Sequence, residues 1–181
     1  LKDVAFGPMN FGVEEAEALE IAKRYLKLVN IPEEYYERSP LDLSGGQKRR
    51  VAIAGILALE SNVLVLDEPT AGLDPQGALE MMLLFERLNK EEEKTVIIVT
   101  HDMEHVLNYC EEVIVLDHGE IKGHFSVEEF FTEVELLKSL SIELPALIEL
   151  RTRLIDYGFK NLEHVLTMEE LVDIVSKEVS A

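Results

Sequence analysis

The stretch Leu43-Ser44-Gly45-Gly46-Gln47 constrains this chain most, because it fixes where a helix must begin. Ser44 is followed three residues later by Gln47 and then by Arg49-Arg50-Val51-Ala52-Ile53-Ala54, the form of a helix capping box with Ser44 as N-cap. Two glycines in the first turn leave backbone N–H groups uncovered at the positive end of the helix dipole, an arrangement that suits an incoming phosphate oxyanion. Downstream, Val63-Leu64-Val65-Leu66 is a continuous apolar run that ends in two carboxylates, Asp67 and Glu68. Such a run reads as a strand covered on both faces in a parallel sheet.

The rest of the chain alternates in the same way. Leu1 to Asn10 reads as a loop with a turn at Gly7-Pro8. An amphipathic helix over Val13 to Val29 follows, with Ala16, Leu19, Ala22, Leu26 and Val29 on its apolar face. A polar link from Asn30 to Pro40 leads into the Ser44 helix, which should reach about Leu59. Asp74-Pro75 is an N-cap followed by proline at the first helical position, opening a helix to about Asn89. Thr95 to Thr100 reads as a second buried strand, His101 to Cys110 as a short helix and Val113 to Asp117 as a third strand. Strands alternating with helices predict a parallel sheet with its chemistry at the strands' carboxyl ends. After the Gly119 turn and a short strand to Phe125 the pattern becomes helical only. Ser126 with Glu129 and Thr167 with Glu170 form capping boxes, Gly158 stops the helix that begins near Pro145, and Leu147, Leu150 and Leu154 share one face of that helix.

Composition narrows the function classes. A formal net charge of −19 argues against direct binding to nucleic acid or anionic lipid. The single cysteine, Cys110, excludes an internal disulfide and reads as a small buried hydrophobe. No run is apolar for long enough to span a membrane. The chain starts at Leu1 rather than methionine and reads as part of a longer protein.

Taken in order, Leu43 to Gln47, the strand ending in Asp67-Glu68, Ala71-Gly72-Leu73-Asp74 and Thr100-His101-Asp102 resemble the ATP-binding cassette (ABC) family. Four motifs in order and at these spacings are specific, whereas any one alone would be weak. The resemblance implies an α/β fold: the C-terminal part of a P-loop NTPase (RecA-like) parallel-sheet core with the ABC helical subdomain and a small helical C-terminal extension. The expected division is residues 1–60 for the helical subdomain, 61–125 for the second half of the ATPase core and 126–181 for a helical, dimerising extension. It also implies ATP and Mg²⁺ as cofactors. Asp67 would hold Mg²⁺ through water, Glu68 would orient or deprotonate the attacking water, and His101 would donate to the γ-phosphate. Ser44, Gly45, Gly46 and Gln47 would bind the ATP of the opposite subunit in a head-to-tail dimer, with Asp74 at the seam. Gln47 either contacts that nucleotide or only closes the capping box. No Gly-x-x-x-x-Gly-Lys-Ser/Thr stretch is present, so this sequence alone is not expected to hydrolyse ATP.

Two further stretches, Asp3 to Val13 and the tail from Glu143-Leu144-Pro145 to Leu171, resemble ATPase subunits of energy-coupling factor importers, which take up vitamins and metal ions such as cobalt and nickel. That resemblance implies a second ATPase subunit, a membrane scaffold subunit and a substrate-binding membrane subunit as partners, no nucleic acid, and a peripheral place on the cytoplasmic side of the cell membrane. Other classes fit less well. His101 and His105 are spaced as zinc ligands, but His101 falls at a strand exit and Asp102 stands where a zinc hydrolase needs glutamate. A Ser44, His101, Asp102 triad fails because adjacent residues cannot both flank and orient one imidazole. A non-catalytic dimerisation module and a soluble ABC ATPase remain as alternatives.

Overall fold

The computed structural model describes residues 1–179, Val134 by its backbone only. The chain divides into two compact units, Leu1–Thr100 and the residues from His101 onward. In the first unit, helices α1 (Lys2–Asn10), α2 (Glu15–Leu28) and α3 (Gly45–Leu57) pack on one another. Strand β1 (Val63–Asp67), helix α4 (Pro75–Lys90) and strand β2 (Thr95–Val99) complete it. Two single 3₁₀ turns, Glu33–Tyr35 and Pro40–Asp42, occupy the link between α2 and α3.

The first ten residues are a helix rather than the expected loop, with Pro8 inside it. Val4, Ala5 and Pro8 form its buried stripe. A Cβ on Gly7 would lie 2.8 Å from Leu59 Cδ2, so the glycine permits a close approach to the residues just past α3. Tertiary packing here outweighs the hydrogen bond a proline removes. In α2 the buried set is Ala18, Ala22, Tyr25 and Leu26, with Ala16 exposed, so the apolar face is rotated from the one the sequence suggested. Each fully buried Leu or Met contributes roughly 1.5–3 kcal/mol. Met81, Met82 and Leu88 do so in α4, which lies against β2.

β1 and β2 pair in parallel, in register from Val63 with Thr95 to Asp67 with Val99. β1 alternates, with Leu64 and Leu66 buried and Val63 and Val65 exposed, where burial on both faces was expected. The exposed face continues onto Ile97 and Val99 of β2.

The second unit begins with helix α5 (Met103–Tyr109), followed by strands β3 (Glu112–Asp117) and β4 (Glu120–Ser126). These strands pair antiparallel. The two-residue connection, His118 at φ 48° and Gly119 at φ 80°, has positive φ at both positions, the requirement of a type I′ hairpin turn. Helices α6 (Val127–Thr132), α7 (Val134–Ser139), α8 (Ala146–Asp156) and α9 (Met168–Val179) follow. One core joins Val106 of α5, Val115 of β3, Phe130 and Phe131 of α6, Leu137 of α7 and Ile148 of α8. A second joins Leu162, Val165 and Leu171 to Leu147, Leu154 and Phe159. Leu150 is exposed, so the apolar face of α8 is narrower than the three-leucine pattern suggested. Gly158 at φ 100° ends α8 in a Schellman motif: its N–H donates to Ile155 O and that of Phe159 donates to Leu154 O.

Candidate functional site

The helix start that the sequence singled out is built as a full capping box. Ser44 Oγ accepts from Gln47 N at 3.2 Å, and Gln47 Oε1 accepts from Ser44 N at 3.0 Å. Lys48 N donates to Ser44 O. The amides of Gly45 and Gly46 come before the first intrahelical donor, Lys48 N, at the positive end of α3, with Gly45 exposed and Gly46 half-buried. A Cβ on Gly46 would sit 3.3 Å from Leu73 Cδ2, so the first turn of α3 rests on the Ala71-Gly72-Leu73 turn.

Asp67 closes β1 with an exposed carboxylate, and Glu68 follows in the left-handed region at φ 45°. This conformation is costly for a non-glycine residue and persists only where its surroundings hold it. The surroundings do so at each polar backbone group. Glu68 N donates to Val99 O at 2.9 Å, and Ala71 N donates to Glu68 O at 3.1 Å. Arg49 of α3 supplies the rest, with Nη2 donating to Asp67 O at 3.1 Å and Nε to Pro69 O at 3.3 Å. Asp74 caps α4, its Oδ1 accepting from Gly77 N at 2.7 Å, while its position remains exposed.

Arg50 ties α3 to α4 through Glu80. Both terminal nitrogens of Arg50 donate to Glu80 Oε2 at 3.2 Å, and Nη1 also donates to Val29 O. Gln76 and Asn30 donate to Glu80 as well. Hydrogen bonds from Gln76, Arg50 and Asn30 hold the Glu80 carboxyl below the usual carboxylate range. Sequence reasoning missed Arg49, Arg50 and Glu80. Their only signal was a pair of arginines one turn into the capped helix.

In the second unit, His101 is exposed and Asp102 is the N-cap of α5, accepting from His105 N. His105 Nδ1 lies 3.3 Å from Asp102 Oδ2, so the pair is a local cap and not a zinc ligand set. Glu104 Oε1 accepts from Ala146 N at 2.9 Å, capping α8, whose N-cap Pro145 makes no side-chain capping bond. Cys110 is half-buried, and burial pushes its thiol pKa up, as expected of a packing residue. A concavity of about 600 Å³ lined by Leu28, Asn30, Glu80, Leu83 and Arg87 includes none of the expected site residues. Of the motif residues of the first unit, Ser44, Gly45, Asp67 and Asp74 are exposed, whereas Gly46, Gln47 and Glu68 are half-buried.

Among the described residues no group of three or more His, Cys, Asp or Glu side chains could cage a metal ion. The exposed carboxylate of Asp67 suits Mg²⁺ carried in by a nucleotide, since that ion usually takes one or two carboxylates plus substrate phosphates.

The family model described as "ABC transporter" matches residues 5–71, which contain the capped helix and Asp67-Glu68. The energy-coupling factor transporter ATP-binding protein EcfA2 of Enterococcus faecalis is 48% identical over 98% of this chain and 62% of its own length. The protein of the same name from Latilactobacillus sakei is 50% identical over 98% of this chain and 61% of its own. The chain is thus similar to ABC transporter ATPases. Among solved structures, CbiO1 of Clostridium perfringens, described as part of the ABC transporter complex CbiONQ, superposes with TM-score 0.62 at 41% identity, over 81% of this chain and 58% of that one. A dimeric ATP-binding cassette, MJ0796, bound to ADP and Pi, superposes with TM-score 0.59 at 35% identity, over 64% and 49%. This chain spans about three fifths of the length of the curated relatives it matches. Among the described residues no helix is long and apolar enough to cross a membrane.

Proposed function

We propose that this chain works as part of an ATP-binding and ATP-hydrolysing subunit of an energy-coupling factor importer, one that powers vitamin or metal-ion uptake by ATP-driven closure of an ATPase dimer. The observation that carries the reading is the Glu68 turn, a carboxylate in a strained backbone at the carboxyl end of a parallel strand, bound to the same helix that opens with Ser44. The likeness to proteins named EcfA2 over nearly the whole chain supports the importer class.

In this reading Glu68 orients or deprotonates the attacking water, and His101 donates to the γ-phosphate as charge develops. Mg²⁺, when bound, neutralises charge on the phosphates, and Asp67 would hold it through water. The backbone amides of Gly45, which is exposed, and Gly46, which is half-buried, with Ser44 and Gln47, receive the γ-phosphate of ATP held by the opposite subunit, and Asp74 lies at the seam. Residues 1–60 then serve as the helical subdomain, 61–125 as ATPase core and 126–181 as the dimerising extension. The partners are a second ATPase subunit, a membrane scaffold and a substrate-binding membrane subunit, with the ATPase peripheral on the cytoplasmic face. The 181 residues alone would not turn over ATP, because they contain no phosphate-cradling Gly-Lys-Ser/Thr loop.

The test is ATP turnover of the full-length ATPase, assembled with its membrane partners, with Glu68→Gln. A loss of about two or more orders of magnitude with ATP binding kept is expected. Unchanged turnover would remove Glu68 from the chemistry and bring a non-catalytic interaction module forward.

A further inference from the structure

The proposed site contains a residue that neither the motifs nor the family comparisons single out. Between Asp67 O and Pro69 O the backbone offers four polar groups, since Pro69 has no N–H. Two are held by the chain itself, through Val99 O and Ala71 N. The other two, the carbonyls on either side of Glu68, both receive their hydrogen bonds from the Arg49 guanidinium. A planar fork with donors at fixed separation is the side chain suited to bridging two carbonyls, and lysine cannot reproduce it. Arg49 also sits one helical turn beyond Gly45, on a helix whose first turn is locked by the capping box. Displacement of that turn is therefore carried by a rigid element to the backbone around Glu68.

We infer that Arg49 is the positioning residue for Glu68: its guanidinium fixes the carbonyls of Asp67 and Pro69, holds Glu68 in its left-handed conformation, and links the Ser44 helix end to the carboxylate of the same subunit. The inference rests on the proposed role of Glu68 and deepens it. In the assembled dimer, a γ-phosphate from the opposite subunit would then bias the aim of this subunit's water-activating group through one side chain. Part of this bridge lies on exposed surface, where water can replace a lost donor at the Asp67 carbonyl. Loss of Arg49 should therefore loosen the turn more than it unfolds the protein.

The experiment uses the full-length ATPase in its complex, with Arg49→Met, Arg49→Lys and Glu68→Gln singly and the pair Arg49→Met with Glu68→Gln. In Arg49→Met, kcat should fall on the order of 10- to 100-fold, as expected of a group misplaced by about 1 Å, with KM for ATP within about threefold. Arg49→Lys should fall between, because one ammonium reaches one carbonyl well. Adding Arg49→Met to Glu68→Gln should cost nothing further. Independently of turnover, amide exchange at Glu68 and Ala71 in the nucleotide-free protein should speed up about tenfold or more in Arg49→Met. Unchanged exchange at these two amides would overturn the inference. So would normal kcat in Arg49→Met alongside a collapsed Glu68→Gln, or equal changes in kcat and KM. Should Arg49→Met fail to assemble, Arg49→Lys carries the same readouts. Intact turnover in Glu68→Gln would instead defeat the functional reading itself, with the exchange measurement still judging whether Arg49 holds the turn.

Discussion

Arg151 is a buried cation whose hydrogen bonds, among the described residues, go to backbone carbonyls. It lies on α8 at 2% exposure, with Nη1 donating to Val165 O at 2.9 Å and Nη2 to Phe131 O at 2.5 Å. Its Nε has no partner among the described residues, and burial lowers the guanidinium pKa. Phe131 is next to last in α6, so its carbonyl is one of those a helix leaves unpaired, at the end where a cation is favoured. Arg151→Met keeps the aliphatic length and removes the donors. Two buried carbonyls left unsatisfied cost about 1–3 kcal/mol each. Relief of the buried charge offsets part of that, and the guanidinium, being weakly hydrated, offsets less than an ammonium would. A net loss of about 2 kcal/mol follows, which for a unit of this size lowers its melting midpoint by roughly 8–16 °C. Thermal unfolding followed by circular dichroism measures it, with Arg151→Lys expected to fall between because its ammonium reaches one carbonyl. A midpoint for Arg151→Met equal to or above that of the unmutated protein would refute the reasoning: desolvation would then outweigh both hydrogen bonds.

Two further tests address the links between helices. Glu80 has a pKa depressed by its hydrogen bonds from Gln76, Arg50 and Asn30, so the stability it contributes is full above the ordinary glutamate range of about 4.3 and is lost as pH falls through its lower folded value. Urea midpoints of Glu80→Gln and unmutated protein should therefore converge in acid and separate toward neutrality; a constant gap at all pH values would count against the network. Glu104 stands in for the cap that Pro145 does not provide, and Glu104→Ala should cost about 1 kcal/mol and speed amide exchange at Ala146. Equal exchange in the two proteins would show that the bond does not hold α8.

What could be read from the sequence was local chemistry. The box at Ser44, the Asp74-Pro75 start of α4, the box at Ser126 and the Gly158 stop depend on contacts within a few residues, and all four are present in the structure. What could not be read depends on distant neighbours. Gly7 and Pro8 signal a turn, yet the approach to Leu59 and a buried stripe make that stretch a helix. The apolar run of β1 reads as doubly covered, whereas in this unit Val63 and Val65 face outward. The hairpin of β3 with β4 was foreshadowed by Gly119, but the matching positive φ of His118, which makes the turn type I′, is a property of the pair. At the site, the carboxylates and the capped helix were visible as motifs, while Arg49 looked like one more charge on a helix until Asp67 O and Pro69 O came within its reach.

The structure also bears on the two uses open to Gln47. Its Oε1 is committed to Ser44 N, which closes the box. An amide side chain has separate acceptor and donor ends, so the capping bond uses the acceptor end of Gln47 and makes no use of its N–H donors. Ser44 divides its work likewise: Oγ accepts from Gln47 N, and the backbone carbonyl accepts from Lys48 N. Both residues stabilise the helix start with acceptor atoms, whereas a phosphate asks for donors. A ligand arriving at Gly45 and Gly46 therefore does not compete with the cap for the same atoms. In the proposed reading, capping and anion binding would therefore draw on different atoms of the same five residues.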